Sequence, residues 1–343
     1  MEKKSFSGKW LITGGLGFIG VQLIRHLCAQ DGVYIKILDN HLTGTKDDLE
    51  TFIKDKKKAT YSDTLDAWPE DADTIHILKS DIRDFEHVKL AVTDADYVVH
   101  LAANTGVQPS VDNPKFDMEN NIVGTFNLLE AIRTQFAGKT PPQFVFASSN
   151  APLGAVKLPA NELSSVKPLS PYGASKLAGE GYISAYANSF NVPGVGLRFG
   201  NVYGPGSGHK SSVVAKFIRQ ALNGETLEIY GDGNQSRDFI FIEDLVNAII
   251  KAALTPDIGG ELFQISPGQE TRVIDIAKTI CDMVVKQGLN MPELIYTETR
   301  VGDMQKNYSD VAKAKKYLDW SATTNLQDGL EKTFEWFVDT INS

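Results

Sequence analysis

The chain has 343 residues, of which 42% are hydrophobic and 22% are charged, proportions typical of a folded globular protein rather than a disordered or fibrous one. Its 34 basic and 43 acidic residues give a formal net charge of −9, which disfavours nonspecific binding to nucleic acid or to an anionic membrane. This length predicts one large α/β unit, or a large domain with a smaller one.

The first half of the chain alternates short apolar runs with stretches of helical periodicity, which is the pattern of a parallel sheet with crossover helices. The predicted strands are 10–13, 34–38, 75–79, 97–101 and 144–147, and the predicted helices are 18–29, 85–92 and 121–136. Residues 46–73 lack a strong period, so we expect an exposed excursion there, with the lysine-rich stretch 54–58 as a solvated face. The fold class predicted is α/β, with a Rossmann-like, doubly wound parallel sheet.

After Gly194 the regular alternation of short apolar runs and helical stretches ends. One more strand is predicted at 195–199, followed by helices at 213–223, 244–254 and 273–286. This half is therefore expected to form a smaller, mixed α/β domain, with the ligand in a cleft beside the sheet.

The sequence favours a reducing compartment. Cys28 and Cys281 lie among apolar residues of predicted helices, as buried thiols do. The N-terminal stretch is polar, and no apolar run is long enough for a signal peptide or a membrane span. We therefore expect a cytoplasmic protein with no membrane partner.

A glycine-rich turn follows the first predicted strand. Gly14, Gly17 and Gly20 precede a helix, where small residues let the backbone approach a pyrophosphate and the helix amides face that anion. The second strand ends about twenty residues later in Asp39 and Asn40, where a carboxylate binds the adenosine ribose hydroxyls and repels a 2′-phosphate. An ordinary tight turn explains the glycines but not the acid, so the pattern predicts NAD rather than NADP.

Three side chains could carry acid–base chemistry. Tyr172 and Lys176 lie four residues apart on a helix predicted to start at Ser170, so they share a face. A phenol with an ordinary pKa of about 10 is a poor base, but a nearby ammonium and an oxidised nicotinamide favour the phenolate. Ser149 ends a strand at the ligand-binding edge and could hydrogen-bond the reacting oxygen. Chance spacing and a purely structural serine remain the alternatives.

These features resemble the extended short-chain dehydrogenase/reductase family over nearly the whole chain. The resemblance rests, in chain order, on 13–20, Asp39, 100–103, the strand end at Ser149, the Tyr172/Lys176 pair and 197–205. Within the family, the chain is most similar to NAD-dependent nucleotide-sugar 4-epimerases of the UDP-hexose, UDP-N-acetylhexosamine and UDP-uronate type. The resemblance implies that 1–194 is an NAD-binding Rossmann domain to which 238–258 return, and that 195–343 mainly form the substrate-binding domain.

The resemblance also implies roles for individual residues, and no metal. The implied cofactor contacts are Gly14, Gly17, Phe18, Ile19, Gly20, Asp39, Asn40, Thr43, Gly44, Asp81, Ile82, Leu101, Ala102, Ala103, Asn121, Tyr172, Lys176 and Phe199. The implied sugar-nucleotide contacts are Thr105, Ser149, Asn150, Asn201, Ser212, Val213, Tyr230, Arg237, Arg300 and Asp303. Of these, Asp81 would lie near the adenine, Tyr230 near the base, and the two arginines on the phosphates, where guanidinium groups suit a diphosphate.

The implied reaction is epimerisation at C4 through a transient 4-keto sugar, with Tyr172 as base and then acid and with NAD retained. A 4,6-dehydratase would need an acidic pair where the chain reads Ser149-Asn150-Ala151, so it is disfavoured. A 5-epimerase, a decarboxylase and a reductase remain open alternatives, and a non-catalytic NAD-binding protein is a remote one. Thr105 and Gln108 replace a lysine and an arginine of relatives, and the second replacement weakens a uronate substrate. Helices 121–136 and 172–189 are the expected homodimer interface.

Overall fold

The structure is a computed structural model that describes residues 6–53, 56–62, 64–298 and 305–342. Its strands are β1 Gly8–Thr13, β2 Val33–Asp39, β3 Lys58–Tyr61, β4 Thr74–Lys79, β5 Tyr97–His100, β6 Gln143–Ser149, β7 Gly194–Phe199, β8 Asn201–Tyr203, β9 Leu227–Tyr230, β10 Ser236–Arg237, β11 Phe239–Phe241, β12 Leu262–Ile265, β13 Thr271–Arg272 and β14 Leu294–Thr297. Its helices are α1 Phe18–Leu27, α2 Lys46–Ile53, α3 Phe85–Ala91, α4 Val107–Asp112, α5 Pro114–Met118, α6 Gly124–Gln135, α7 Pro171–Phe190, α8 Val213–Leu222, α9 Ile242–Leu254, α10 Val273–Lys286, α11 Ala312–Leu318 and α12 Leu326–Asn342. A π-helical turn, Glu119–Val123, precedes α6, and a 3-10 turn, Ala151–Leu153, follows β6.

Eight strands form one parallel sheet in the order β12-β7-β6-β5-β1-β2-β4-β3. The order reverses between β1 and β5, which pair directly in the register Trp10↔Tyr97. In doubly wound sheets, the carboxyl ends of the strands at such a reversal form the ligand-binding crevice. The predicted Rossmann-like α/β fold is confirmed.

The sheet strands are apolar because helices cover both faces of a parallel sheet. One buried cluster packs a residue from each of four neighbouring strands against residues of α3, α6 and α7. The four strand residues are Leu11, Leu38, Val98 and Phe144. The predicted helix 121–136 is a helix in the structure, but it begins within the π-helical turn and continues as α6.

The stretch 46–73, predicted as an exposed excursion, is mostly exposed or half-buried in its described residues, but it also contains secondary structure. Residues 46–53 form α2, and Lys58–Tyr61 form β3, which pairs in parallel with β4 at the sheet edge. Of the lysine-rich stretch, residues 54 and 55 lie outside the described residues, whereas the Lys57 Nζ donates a hydrogen bond to the Val33 carbonyl at 2.8 Å. This lysine therefore ties the segment to the start of β2 rather than standing only in solvent.

The chain divides into two compact units. The first contains the chain up to Gly154, Val166–Arg198 and Val246–Phe263, and the second contains Ala155–Ser165, Phe199–Leu245 and the chain from Gln264 onward. The second unit includes short strand pairs, β8 with β11, β10 with β13, and β9 with β14. Among the described residues, no helix is long and apolar enough to cross a membrane.

Candidate active site

The turn after β1 is packed backbone against backbone. Gly14 has a φ of +69°, and a Cβ at this position would lie 2.6 Å from the Ala102 nitrogen. A Cβ at Gly20 would lie 2.5 Å from the Gly14 carbonyl oxygen, and one at Gly44 would overlap the Leu16 carbonyl. Only glycine fits these positions. The turn leads directly into the start of α1, Phe18 and Ile19, where the backbone N–H groups point out of the end of the helix. The arrangement fits a bound pyrophosphate.

Asp39 is held at the end of β2 by the same turn. Its Oδ2 accepts a hydrogen bond from the Leu16 N–H at 3.0 Å, and its Oδ1 accepts one from the His41 N–H at 2.8 Å. Burial raises the pKa of Asp39, while these two backbone hydrogen bonds act in the opposite direction. The carboxylate is thus fixed beside the glycine turn, where a dinucleotide ribose would need an acceptor.

Asp81, predicted near the adenine, is already engaged by its neighbours. Its two oxygens accept hydrogen bonds from the Arg83 Nε and Nη2, both at 2.9 Å, and Oδ2 also accepts one from the Asn40 Nδ2 at 3.1 Å. Arg83 is the main reason that the pKa of Asp81 falls to about 2. The next residue, Ile82, is buried, and its carbonyl accepts a hydrogen bond from the Asn127 Nδ2.

The end of β5 is joined to the end of β1. The Leu101 N–H donates to the Thr13 carbonyl at 3.0 Å, and the Ala102 N–H donates to the Thr13 Oγ1 at 3.3 Å. The ring of His100 lies between the hydroxyls of Thr13, at 2.7 Å, and Thr125, at 3.0 Å. Complete burial lowers the pKa of His100 well below its usual range, so this histidine is a neutral structural bridge. The half-buried Ala103 follows directly.

Asn121 connects this strand edge to α7. Its Oδ1 accepts a hydrogen bond from the Asn104 N–H at 2.8 Å, and its Nδ2 lies 3.0 Å from each of the Asn104 carbonyl, the Asp117 Oδ1 and the Ser175 Oγ. The Ser175 hydroxyl donates in turn to the Tyr172 carbonyl at 3.0 Å. Asn121 therefore holds the first turn of α7 in place.

The Tyr172, Lys176 and Ser149 side chains come together at the end of β6. α7 starts as predicted, because the Ser170 hydroxyl caps it by accepting a hydrogen bond from the Gly173 N–H at 3.1 Å. The Lys176 Nζ donates to the Ala147 carbonyl at 2.9 Å and lies 5.9 Å from the centre of the Tyr172 ring. Ser149 hydrogen-bonds the Tyr172 phenol.

The charge states of this pair are set mainly by burial. Burial raises the pKa of Tyr172 to about 12, a hydrogen bond with Ser149 partly opposes the rise, and the nearby Asp117 adds to it. Burial lowers the pKa of Lys176 to about 8, against the charges of Asp117 and Glu180. The burial of Tyr172 therefore opposes the phenolate, and a further positive charge beside the ring, such as that of an oxidised nicotinamide, would favour it.

Two predicted substrate contacts of the second unit, Asn201 and Arg237, are brought together by the residue Asp238. Asn201 starts β8, which pairs with β11 in the register Phe239↔Asn201, and its N–H donates to the Asp238 carbonyl at 2.7 Å. Arg237 ends β10 just before Asp238, and its Nη1 donates to the Ser236 carbonyl at 2.8 Å. The fold thus brings Asn201 and Arg237 close together in space.

A second group in this unit surrounds Tyr230 at the end of β9. Its hydroxyl donates to the Glu228 Oε2 at 2.8 Å, and the Lys216 Nζ lies 4.9 Å from its ring centre. Lys216 stands one turn into α8, whose N-cap is Ser212 and whose first residue is Val213. Tyr230, Ser212 and Val213 are therefore positioned by one helix–strand pair.

Four further predicted residues lie at strand ends or in loops. Phe199 is buried at the end of β7, Asn150 is buried after β6, and Thr43 and Thr105 are exposed. Arg300 and Asp303 lie outside the described residues. Sequence reasoning missed Asp117, Asn104 and Ser175, although Asp117 stands four residues before Asn121 and so shares its helical face. Among the described residues, no group of three His, Cys, Asp or Glu side chains could hold a metal ion.

The glycine turn, the fixed acid at the end of β2 and the Tyr172/Lys176 pair define a Rossmann-type enzyme that uses a nicotinamide dinucleotide. The model of the NAD dependent epimerase/dehydratase family matches residues 10–266. The chain belongs to this family, and its cofactor is NAD.

The relatives of this chain are named for more than one reaction. A putative UDP-glucose 4-epimerase from Methanocaldococcus jannaschii is 33% identical over 334 residues, which cover 95% of this chain and 97% of the relative. A dTDP-glucose 4,6-dehydratase from Escherichia coli is 29% identical over 358 residues, covering 97% and 94%.

The fold is similar to that of solved structures over nearly the whole chain. A UDP-glucose 4-epimerase from Thermotoga maritima, solved with UDP-glucose, has a TM-score of 0.83 at 29% identity, covering 97% of this chain and 99% of that one. A UDP-glucuronic acid 4-epimerase from Bacillus cereus, solved with UDP-glucuronic acid and NAD, has a TM-score of 0.83 at 28% identity with the same coverage.

Proposed function

We propose that this chain is a nucleotide-sugar 4-epimerase whose substrate is a UDP-hexose, UDP-N-acetylhexosamine or UDP-uronate. The observation that carries the proposal is the arrangement at the end of β6: Ser149 hydrogen-bonds Tyr172, Lys176 is fixed beside it, and no acid follows the strand. The similarity to proteins named as UDP-sugar 4-epimerases supports the same reaction.

A 4,6-dehydratase is the second candidate, because relatives with that name match the chain at nearly full length. Eliminating water from a keto sugar requires one group to remove a carbon-bound proton and another to protonate the leaving hydroxyl. After Ser149 the chain continues with Asn150 and Ala151, whose side chains can do neither. This absence of an acid–base pair in the 149–153 segment favours epimerisation.

The proposed mechanism needs one group that both removes and returns a proton. NAD, when bound, supplies the acceptor and later the donor of the hydride at the sugar carbon. Tyr172 accepts the proton of the sugar hydroxyl and later returns it, and Ser149 holds the same oxygen by a hydrogen bond. The Lys176 ammonium, held by the Ala147 carbonyl, favours the phenolate form of Tyr172.

The remaining predicted contacts are part of the same proposal. Gly14, Asp39 and Leu101 to Ala103 would contact NAD, and Asn201, Tyr230 and Arg237 would contact the nucleotide diphosphate. An arginine suits a diphosphate because its planar fork donates two parallel hydrogen bonds to phosphate oxygens. The roles proposed for Arg300 and Asp303 rest on the sequence alone.

An NMR time course tests the proposed function. Purified protein is incubated separately with UDP-glucose, UDP-N-acetylglucosamine, UDP-glucuronate and dTDP-glucose, without added cofactor. We expect the 4-epimer of one UDP-sugar to accumulate to a fixed ratio. A new C6 methyl signal from dTDP-glucose, which elimination of the 6-hydroxyl would create, would instead establish dehydratase chemistry and overturn the proposal. The proposal would also be overturned if all four substrates stayed unchanged although the protein had NAD bound.

We also propose a homodimer formed by α6 and α7. Phe126 on α6 and Tyr182 on α7 are 37% and 38% exposed, and their ring centres lie 5.6 Å apart in an edge-to-face arrangement. Phe190, at the end of α7, is also exposed. An aromatic patch shared by two helices suits an isologous contact with a second copy. Light scattering should give about twice 37.6 kDa, and Phe126→Asp should give the monomer; a monomeric parent chain would contradict the dimer.

The cytoplasm is the proposed location. Both cysteines are free and buried, and burial raises the pKa of Cys28 to about 11. Thiols of this kind are protonated and unreactive at neutral pH, so they need no oxidising compartment.

A further inference from the structure

Asp117 is a buried carboxylate beside the candidate catalytic pair. It lies on α5 and is 1% exposed. Its Oδ1 accepts hydrogen bonds from the Asn121 Nδ2 at 3.0 Å and the Asn104 Nδ2 at 3.3 Å. Its Oδ2 is buried and has no hydrogen-bond partner in the part of the chain that the structure describes. An ionised carboxylate in such a place is costly unless an opposite charge lies close by.

One side-chain amide connects Asp117 to the first turn of α7. The Asn121 Nδ2 that donates to Asp117 also lies 3.0 Å from the Ser175 Oγ. The Ser175 hydroxyl donates to the Tyr172 carbonyl, and the following residue is Lys176. The carboxylate is therefore only two hydrogen bonds from the turn that carries both candidate catalytic side chains. Its charge raises the pKa of both Tyr172 and Lys176.

The other buried charges near Lys176 are already matched. Glu180, one turn further along α7, is 3% exposed, and its two oxygens accept hydrogen bonds from the Arg198 Nε and Nη2, both at 2.8 Å. His100 on β5 faces Lys176 but is neutral, because its burial lowers its pKa. The Lys176 ammonium is itself 4% exposed. Of the two carboxylates among the described groups around it, His100, Asp117, Tyr172 and Glu180, Glu180 is paired with Arg198, whereas Asp117 has no cationic partner of its own.

We propose that Asp117 is the counter-charge of the Lys176 ammonium and a positioning residue for the Tyr172/Lys176 pair. This proposal rests on the roles that the proposed function gives to Tyr172 and Lys176. The Asp117 carboxylate balances the buried ammonium across the Asn121 bridge, so Lys176 stays protonated at neutral pH despite its burial. The same negative charge also opposes ionisation of Tyr172 until further positive charge enters the site.

Asp117→Asn separates the charge from the hydrogen bonds, because an amide oxygen can still accept from Asn121 and Asn104. Loss of the carboxylate should lower the pKa of Lys176 from about 8 by about one unit. The matched control is Asp112→Asn, which removes the same charge from the exposed end of the neighbouring helix α4. If Asp117→Asn does not fold, Asp117→Ser removes the charge with a smaller side chain.

The measurement is an NMR titration of the protein labelled with ¹³C in its lysine side chains, without sugar nucleotide. The Lys176 signal is assigned by its loss in Lys176→Arg and followed from pH 6 to pH 10. We expect its midpoint to move down in Asp117→Asn and to stay in place in Asp112→Asn. Equal midpoints in Asp117→Asn and the parent chain would overturn the proposal, whether or not the protein proves to be an epimerase.

The pH dependence of turnover gives a second readout that a merely structural residue would not move. Because Tyr172 and Lys176 both lose the field of the carboxylate, both limbs of the kcat/KM profile should move to lower pH in Asp117→Asn. A profile reduced in height at every pH, with unchanged limbs, would assign Asp117 a structural role only and overturn the proposal.

Discussion

Removal of one partner from the buried Arg198–Glu180 pair should strongly destabilise the first unit. The Arg198 guanidinium and the Glu180 carboxylate are each 2% exposed and share two hydrogen bonds of 2.8 Å. Ser148 also donates to the Glu180 Oε1, at 2.6 Å. Arg198→Met leaves that carboxylate buried with only one hydroxyl donor, and an uncompensated buried charge costs about 3–5 kcal/mol. Since a unit of this size loses ~2–4 °C per kcal/mol, the Tm should fall by about 6–20 °C.

The double variant Glu180→Met/Arg198→Met isolates the cause. It removes both charges and fills the site with apolar groups, so it should be about as stable as the parent chain, or at least more stable than Arg198→Met alone. Urea unfolding of the parent, the two single variants and the double variant gives the coupling free energy. A loss below about 1 kcal/mol in Arg198→Met, or strictly additive losses in the double variant, would refute the argument from buried charge.

Three further variants test other parts of the structure. Gly14→Ala should abolish retention of NAD through gel filtration, because its Cβ meets the Ala102 backbone at a φ of +69°; NAD that stays bound would contradict the proposed turn. Tyr172→Phe should lower kcat by about 10²–10⁴-fold and leave bound NAD in place, and near-parent activity would remove Tyr172 from the mechanism. Lys36 is buried, donates to three backbone carbonyls and has a pKa lowered by burial to about 7. Between pH 7 and pH 9 the unfolded chain binds more protons at this lysine than the folded chain, so stability relative to Lys36→Met should rise by about 1 kcal/mol per pH unit; a flat difference in urea unfolding over that range would contradict it.

The sequence alone predicted the strands, turns and caps whose own residues form a recognisable pattern. The strands β1, β2, β4, β5 and β6 are short apolar runs, and the turn at Gly14 and the cap at Ser170 are local motifs. β3 escaped prediction because Ala59 is its one buried residue, so it has neither an apolar run nor a clear alternation. The two- to four-residue strands of the second unit are defined by pairing with distant segments, which no local pattern encodes.

Some residues of the candidate site were likewise predicted from local sequence, and others were not. Tyr172, Lys176 and Ser149 were found from spacing and strand position, because a helix turn and a strand end fix where they point. Asp117 was missed because its link to the catalytic helix is not local. The Asn121 amide that donates to Asp117 contacts Ser175, 54 residues further on, and this contact forms only where α5 packs on α7. Local sequence also did not show that Arg83 would engage the carboxylate of Asp81.

The most direct test of the proposed reaction follows the hydrogen on the sugar carbon itself. The protein is incubated in ordinary water with UDP-glucose deuterated at C4, and the 4-epimer is examined by NMR and mass spectrometry; the corresponding UDP-N-acetylglucosamine or UDP-glucuronate is used if the time course selects that sugar. The account predicts that the epimer forms and keeps its deuteron at C4, since a hydride taken from that carbon is returned to it. An epimer with hydrogen from water at C4, or a deuterated substrate that is not epimerised, would contradict the account.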